Sequence, residues 1–366
     1  MPSNIVRVDS INGTALADNG QPTIAALEKG IITGTVTSPL GEVLTGFNGI
    51  LMADIFDAEY SITTRANGDE GKEDTFETHG ERIYTGSAVI KDGRFTLEVS
   101  MPMEISQNFR PASLALYAYD TSDDTEATGL CNDFYVYGFD EPDTPDTKAP
   151  VIETLVLNHE DFRNGDRVNT SPMLIASVSD DTGINVSNAG IGHQMVAILD
   201  GRQTLTGISN YYTPAPDGSP SGTINYPIDD LQPGAHSLTF RVWDTSGNAA
   251  EKSIDFAVAE TIAPKIYDIY SDANPASVSA NFYLRHNQPD NMVTVTVTVY
   301  NMLGRPLWSQ TVSGRSDMFL TMPVTWDLTD DSGNRVGRGI YLYRASITSD
   351  GISYETGSRR IAVTAR

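Results

Sequence analysis

The segment VTVTVTVY (Val293–Tyr300) alternates valine with threonine up to its final tyrosine. Successive side chains of an extended backbone point to opposite faces, so this period of two lays an apolar row on one face and a hydroxyl row on the other. Valine and threonine are stiff at χ1 and suit a pleated surface, so the segment is expected to be a half-buried β-strand. The same period recurs along the chain. HSLTFRVWD (His236–Asp244) aligns Leu238, Phe240 and Val242, and GIYLYRASI (Gly339–Ile347) aligns Tyr341, Tyr343, Ala345 and Ile347. RFTLEVSMP (Arg94–Pro102) and SLALYAYD (Ser113–Asp120) behave alike. Between such runs lie turn dipeptides: Asn-Gly at 12–13, 48–49 and 67–68, Asp-Gly at 92–93, 200–201, 217–218 and 350–351, and Ser-Gly at 246–247 and 332–333. These residues tolerate the positive φ that tight hairpins require. The best helix candidate, TIAALEKG (Thr23–Gly30), is short. Many short strands punctuated by turns predict an all-β chain of β-sandwich, Ig-like modules rather than an α/β fold.

At 366 residues the chain is too long for one sandwich and suits three in tandem. Two linkers divide it. DEPDTPDTKAP (Asp140–Pro150) mixes acids with three prolines and runs directly into the strand pattern VIETLVL; AETIAPKI (Ala259–Ile266) is a shorter version, and both place Ala-Pro before a strand. The expected modules are therefore 1–146, 147–262 and 263–366. The opening MPSNIVRVDSING has no apolar core of a signal peptide and enters strand pattern at once, so Met1 is expected to lie inside a longer protein or at an artificial start. No run of eighteen apolar residues is present, so no helical membrane span is expected.

Charge sharpens the division. The net charge is -24, but residues 1–149 carry 25 acids against 9 bases, residues 150–265 carry 14 against 6, and residues 266–366 carry 9 of each. The acidic front repels polyanions, so nucleic acid is not an expected partner. Every base in the neutral last stretch is arginine, whose planar guanidinium pairs with carboxylates and stacks on aromatic rings.

Few residues invite chemistry. Cys131 is the single cysteine and so cannot form an internal disulfide; with five scattered histidines it offers no zinc cluster. A cysteine nucleophile needs a nearby base to make thiolate. Cys131 sits in GLCNDFYVYG near Asp123, Asp124, Glu126 and Asp133, which would raise a thiol pKa, so it reads as a small half-buried strand residue. No catalytic residue is assigned, and the chain is expected to be non-enzymatic. His193, in GIGHQ, reads as a turn-stabilising hydrogen-bonding group in preference to a ligand or base. Acid pairs at Asp180–Asp181, Asp229–Asp230 and Asp330–Asp331 are candidate calcium loops, but paired aspartates at strand ends more often make side-chain-to-backbone turns; no metal or other cofactor is assigned.

The middle stretch carries DDTGINVSNAGIGHQMVAILDG (Asp180–Gly201) and SNYYTPAPDGSPSGTINYPIDDLQPGAHSLTFRVWDTSGNAA (Ser209–Ala250). The Asp-x-x-Gly-Ile-Asn start, the Gly-Ile-Gly-His turn, the Leu-Asp-Gly hairpin, the Asn-Tyr-Tyr stretch and the Trp-Asp strand ending resemble the region after the peptidase domain in the gingipain-type cysteine peptidases that serve as sortases of the type IX secretion system of Bacteroidota. RVDSING (Arg7–Gly13), GEVLTGFNGILMADIFD (Gly41–Asp57) and YTGSAVIKDGRFTLEVSMP (Tyr84–Pro102) resemble the same family. ANPAS (Ala273–Ser277), VTVYNMLGRPLWSQ (Val297–Gln310), WDLTDDSGNRVGRGIYLYR (Trp326–Arg344) and SRRIAVTAR (Ser358–Arg366) resemble the C-terminal domain of type IX secretion substrates, with Ala-Asn-Pro where Pro-Asn-Pro is usual. The Trp-Asp…Gly-Ile-Tyr pattern is shared with other bacterial Ig-like domains.

The resemblance implies a non-catalytic spacer and docking portion of a sortase whose peptidase domain lies upstream. In the family that enzyme removes C-terminal signals from secreted cargo and attaches the cargo to anionic lipopolysaccharide. It also implies a cell-surface, outer-membrane-associated location, with a β-barrel shuttle protein and other type IX components as partners. A secreted adhesin or binding protein exported by the same system is the alternative, and needs only the tail. Within the tail the docking candidates are Gly304, Gly333 and Gly339, which shape the backbone, together with Tyr341, Arg344 and Arg360. Gly339 is expected to allow close backbone approach at the start of its strand.

Overall fold

The computed structural model describes all residues except 1–3, 17–20, 66–70, 79, 189–191, 290, 318 and 365–366. It is all-β: among the described residues no α-helix occurs, and strands form several sheets. The alternating segments all become strands, among them Met292–Tyr300, Gly234–Trp243, Gly339–Ser349, Arg94–Ser100 and Ser113–Asp120. Thr23–Gly30, the helix candidate, is not a helix. Thr23–Ala26 is a strand with Ile24 and Ala26 buried, pairing in parallel with Tyr135–Phe139; Leu27, at φ 64°, then turns the chain into the strand Lys29–Thr37. Tertiary pairing overrides a helix propensity that four residues cannot express. The Asn67–Gly68 turn lies outside the described residues.

The chain divides into two compact units. The first comprises Met1–Leu155, Leu174–Tyr226 and Ser237–Ile254. Its largest sheet runs in the order Arg82–Ile90, Gly49–Phe56, Ser113–Asp120, Glu126–Cys131, Asn4–Ile11, Lys29–Thr37, Arg94–Ser100, with Thr14–Ala15 beside Asn4–Ile11. The two end strands are joined by the turn Lys91–Arg94, and the Tyr84 hydroxyl donates to the Glu98 carbonyl at 3.0 Å, so the sheet curls back toward its own start. Its core holds Ile32, Leu51, Ile55, Leu97, Leu114 and Phe134, all buried. The segment around residue 147 is tied to this unit's 180–182 turn, with Lys148 bonded to Asp181 and Asp146 to Thr182.

The second unit comprises Val156–Met173, Pro227–His236 and Asp255–Arg366. Its C-terminal part packs two sheets. One runs Ile266–Ser271, Ala280–His286, Val324–Trp326; the other runs Pro306–Arg315, Met292–Tyr300, Gly339–Ser349, Ile352–Glu355, with Arg359–Val363 also against Gly339–Ser349. Facing sheets whose inner residues interdigitate make one core: Phe282 and Leu284 from the first sheet and Val293, Val295, Val297 and Val299 from the second are buried, with Trp326 enclosed. The hydroxyl row faces outward. Thr294, Thr296 and Thr298 bond across to Ser313, Thr311 and Ser309 at 2.9, 2.8 and 3.0 Å.

Candidate docking surface

The six tail residues occupy three different settings. Gly304 has φ 78° in the hairpin between Met292–Tyr300 and Pro306–Arg315, and nothing lies within 4 Å of where its Cβ would be. Backbone conformation alone selects glycine there. The Asn301 side chain organises the turn: its Oδ1 accepts from the N–H groups of Leu303 and Arg305, both at 3.0 Å, while the Gly304 N–H donates to the Asn301 carbonyl at 2.9 Å. Gly333, also at φ 78°, repeats this arrangement. Asp330 Oδ1 accepts from Ser332 and Asn334 N–H at 2.9 Å each, and the Gly333 N–H donates to the Asp330 carbonyl at 2.8 Å. These bonds hold the Asp330 carboxyl below the usual range, the Asn334 N–H contributing most. Asp330–Asp331 is therefore a turn-forming pair.

Gly339 does not serve close backbone approach. Its φ is not positive, and an added Cβ would meet only a Tyr341 ring carbon at 3.9 Å, ordinary contact. Tyr341 packs edge-on against Trp326, ring centroids 5.9 Å apart, and donates to the Gly337 carbonyl at 2.7 Å. It lies at the margin of the core, whereas Tyr343, Ala345 and Ile347 lie within it. Arg344 and Arg360 project from the opposite, outer face. Arg344 stands beside Thr298, its Nε donating to Ser358 Oγ at 2.8 Å and its guanidinium 5.9 Å from the Tyr300 ring centroid. Arg360 pairs by backbone with Leu342, and its exposed guanidinium makes no hydrogen bond or ion pair among the described residues. The fold thus brings the two arginines to one face and separates them from Tyr341.

The remaining candidates are structural in their surroundings. Cys131 is buried opposite Leu114, and burial, more than the neighbouring Asp133, pushes its thiol up. Asp123, Asp124 and Glu126 are not among the causes of that shift; Glu126 accepts instead from the Tyr117 hydroxyl at 2.6 Å. His193 Nδ1 lies 2.7 Å from Glu104 Oε1, and its ring meets Trp243 edge-on at 4.4 Å. The expected hydrogen bond is present, but its partner is a distant segment, not its own turn; Gly190 and Ile191 lie outside the described residues.

Asp180 and Asp181 gather with Asp146, their carboxylate oxygens all within 4.8 Å. The linker reading missed Asp146, since nothing in an extended acidic segment signals where it docks. Calcium takes six to eight oxygens. Here Thr182 Oγ1 bridges Asp146 and Asp180 at 3.0 and 2.8 Å, Gly183 N–H donates to Asp180 at 3.0 Å, and Lys148 pairs with Asp181, lowering its carboxyl. The cluster reads as a tethered turn. A cavity of about 280 Å³ in the first unit is lined by Lys29, Tyr84, Glu98, Asp181 and Tyr212 among others, bringing mixed charges around buried phenols.

No family model matches the chain, and no curated protein matches it. Among solved structures it is similar to tandem sandwich proteins, including a tetra-tandem repeat from the extending region of a large adhesion protein (15% identity, 99% of this chain and 74% of that one, TM-score 0.23) and chicken CNTN1 FN1–FN3 domains (10% identity, 98% and 97%, TM-score 0.22). It is also similar, along its whole length and at 29% identity with a TM-score of 0.44, to dimeric latent PorU from Porphyromonas gingivalis, of which it spans 34%.

Proposed function

We propose that the chain is the non-catalytic C-terminal portion of a type IX secretion sortase, a set of sandwich spacers ending in a domain that docks on an outer-membrane β-barrel partner at the cell surface. The observation that carries this reading is the motif series from Asp180 to Ala250, whose residues form one bonded framework. Asp180 caps Thr182 and Gly183, the Asn185 amide donates to the His193 carbonyl, His193 meets Trp243, and Asp244 closes the DTSGN turn. Residues that resemble the family's motifs also contact one another here. The likeness to PorU is in keeping with it. On this reading peptidase chemistry belongs to the upstream domain of the full-length enzyme, and the exposed arginines of the tail meet acidic groups on the partner.

The second reading, a secreted adhesin exported by the same route, rests on the tail pattern shared with other Ig-like modules. Affinity capture from a Bacteroidota outer-membrane extract, with the full chain as bait, separates them. The proposal expects a β-barrel outer-membrane protein to be retained. It also expects Arg360→Ala to weaken retention several-fold with an unchanged melting temperature, and Arg344→Ala to do so with a slightly lower one, because Arg344 also contacts Tyr300 and Ser358. Retention of no outer-membrane protein would remove the docking role, and full retention by both variants would remove the arginines from it.

A further inference from the structure

A sheet edge presents unpaired main-chain donors and acceptors, and proteins blunt such edges with short strands, bulges, lysines or covering segments. Most edges in this chain are treated in these ways. Gln203–Leu205, Tyr212–Pro214 and Arg167–Val168 are two or three residues long. Val151–Leu157 is capped by Lys252, whose Nζ donates to the carbonyls of Ile152 and Glu153 at 3.1 and 2.9 Å. Ile266–Ser271 carries an irregularity between Ile266 and Asp268, and Arg359 pairs with Asp268 at 3.2 Å. The strand Pro306–Arg315 has such an irregularity only at its start, where Val299 pairs with Trp308 and Tyr300 with Pro306, and is regular from Trp308 to Arg315. It is ten residues long, ends its sheet, and from Leu307 to Gly314 carries no charge.

The direction of its free groups follows from two bonds. The Ser309 N–H donates to Asp331 Oδ1 at 3.2 Å, and the Leu307 carbonyl accepts from the Asp331 N–H at 2.9 Å. Both groups therefore point away from Met292–Tyr300. Main-chain direction alternates along a strand, so the N–H and C=O of Thr311 and Ser313 point the same way. The close hydroxyl pairs Thr296–Thr311 and Thr294–Ser313 agree, because side chains approach nearest at pairs that exchange no backbone bonds. Among the described residues nothing meets those main-chain groups of Thr311 and Ser313. The 330–334 turn covers the first part of the edge and leaves the rest open.

We propose that the open edge at Ser309–Gly314 is a strand-addition site, taking an extended, uncharged segment of a partner protein, about five residues long, by main-chain pairing. The inner neighbour of this strand shows what complements it. Met292–Tyr300 meets the same side chains with valines inward and threonines outward, so the occupant is a segment of alternating β-branched and hydroxyl residues. The -24 that each chain carries resides in residues 1–265, so it is repulsion between those acidic regions, and not the neutral stretch bearing the edge, that disfavours a second copy. The site stands on sheet geometry alone and does not depend on the sortase reading.

The test uses a fluorescent, lysine-flanked peptide copy of Val293–Tyr300, titrated with the full chain and followed by anisotropy. The proposal expects saturable binding that weakens about tenfold or more with Thr311→Pro, which deletes an outward N–H but no bond to Met292–Tyr300. It expects the same loss when alternate residues of the peptide are N-methylated, a control that leaves the protein unaltered should Thr311→Pro disturb folding. Absence of saturable binding overturns the proposal, as does binding indifferent to N-methylation. Concentration-dependent dimers in sedimentation that Thr311→Pro dissolves would assign the edge to a second copy and also overturn it.

Discussion

The turns Asp244–Asn248 (DTSGN) and Asp330–Asn334 (DDSGN) are built alike and placed oppositely. In each, the aspartate N–H donates to the asparagine carbonyl four residues on, and Oδ1 accepts from the N–H groups at the third and fifth positions. Each fourth residue is glycine at positive φ, 91° at Gly247 and 78° at Gly333. The Asn301–Arg305 turn follows the same plan with asparagine first. Asp244, however, is fully buried beneath the segment around Met103, whose N–H donates to the Thr245 carbonyl at 2.8 Å; Asp330 lies near the surface. Burial pushes the Asp244 carboxyl up against the pull of its bonds, whereas at Asp330 the bonds prevail and the carboxyl is held down. One local code thus does two jobs. The inward copy ties segments of the first unit together, and the outward copy leaves a turn free to border the open edge through Asp331.

Removing the side chains should break that symmetry most visibly. Asp244→Ala strips a buried turn of its acceptor and should lower stability by about 3 kcal/mol in urea denaturation. Asp330→Ala should shift the melting temperature much less, since water replaces the lost acceptor. Equal losses would show that burial is not what distinguishes the two turns.

The pH response sharpens the same contrast. A lowered carboxyl such as Asp330 contributes stability that is present above its unfolded value of 3.8 and lost as pH falls through the folded one. A raised carboxyl such as Asp244 does the reverse: its contribution is full below 3.8 and lost as pH rises through the folded value. His286, enclosed in the second unit, adds a larger effect. Its Nδ1 accepts from the Gln288 N–H at 3.0 Å, and burial lowers it from 6.5 to about 4. The stability tied to its neutral form is complete above pH 6.5 and lost toward pH 4, at most about 3 kcal/mol. Acid should therefore loosen the second unit first, seen as earlier hydrogen exchange in 280–300 than in 50–56. Loosening of the first unit at higher pH would contradict this.

What was legible in the sequence was period and punctuation. VTVTVTVY and GIYLYRASI place their valines and tyrosines correctly because alternation is a local property, and Gly304 and Gly333 are found at turns for the same reason. Short segments were harder. Thr23–Ala26 reads as helix until its partner Tyr135–Phe139 arrives from more than a hundred residues away. The acidic linker gives no hint that Asp146 meets Asp180, and nothing near His193 points to Glu104. Residue type alone does not tell the faces of a strand apart, so the docking candidates mix an inner-face tyrosine with outer-face arginines. The unpaired edge, a property of strand order, is invisible in any single segment.

The central proposal is that the tail docks on an outer-membrane β-barrel protein while the first unit is a spacer. Hydrogen–deuterium exchange of the full chain, alone and saturated with the purified β-barrel partner, tests it directly. The account predicts protection confined to 301–315 and 330–361, with the first unit (1–155, 174–226 and 237–254) unchanged. Protection centred in the first unit, or none anywhere at saturation, would contradict it.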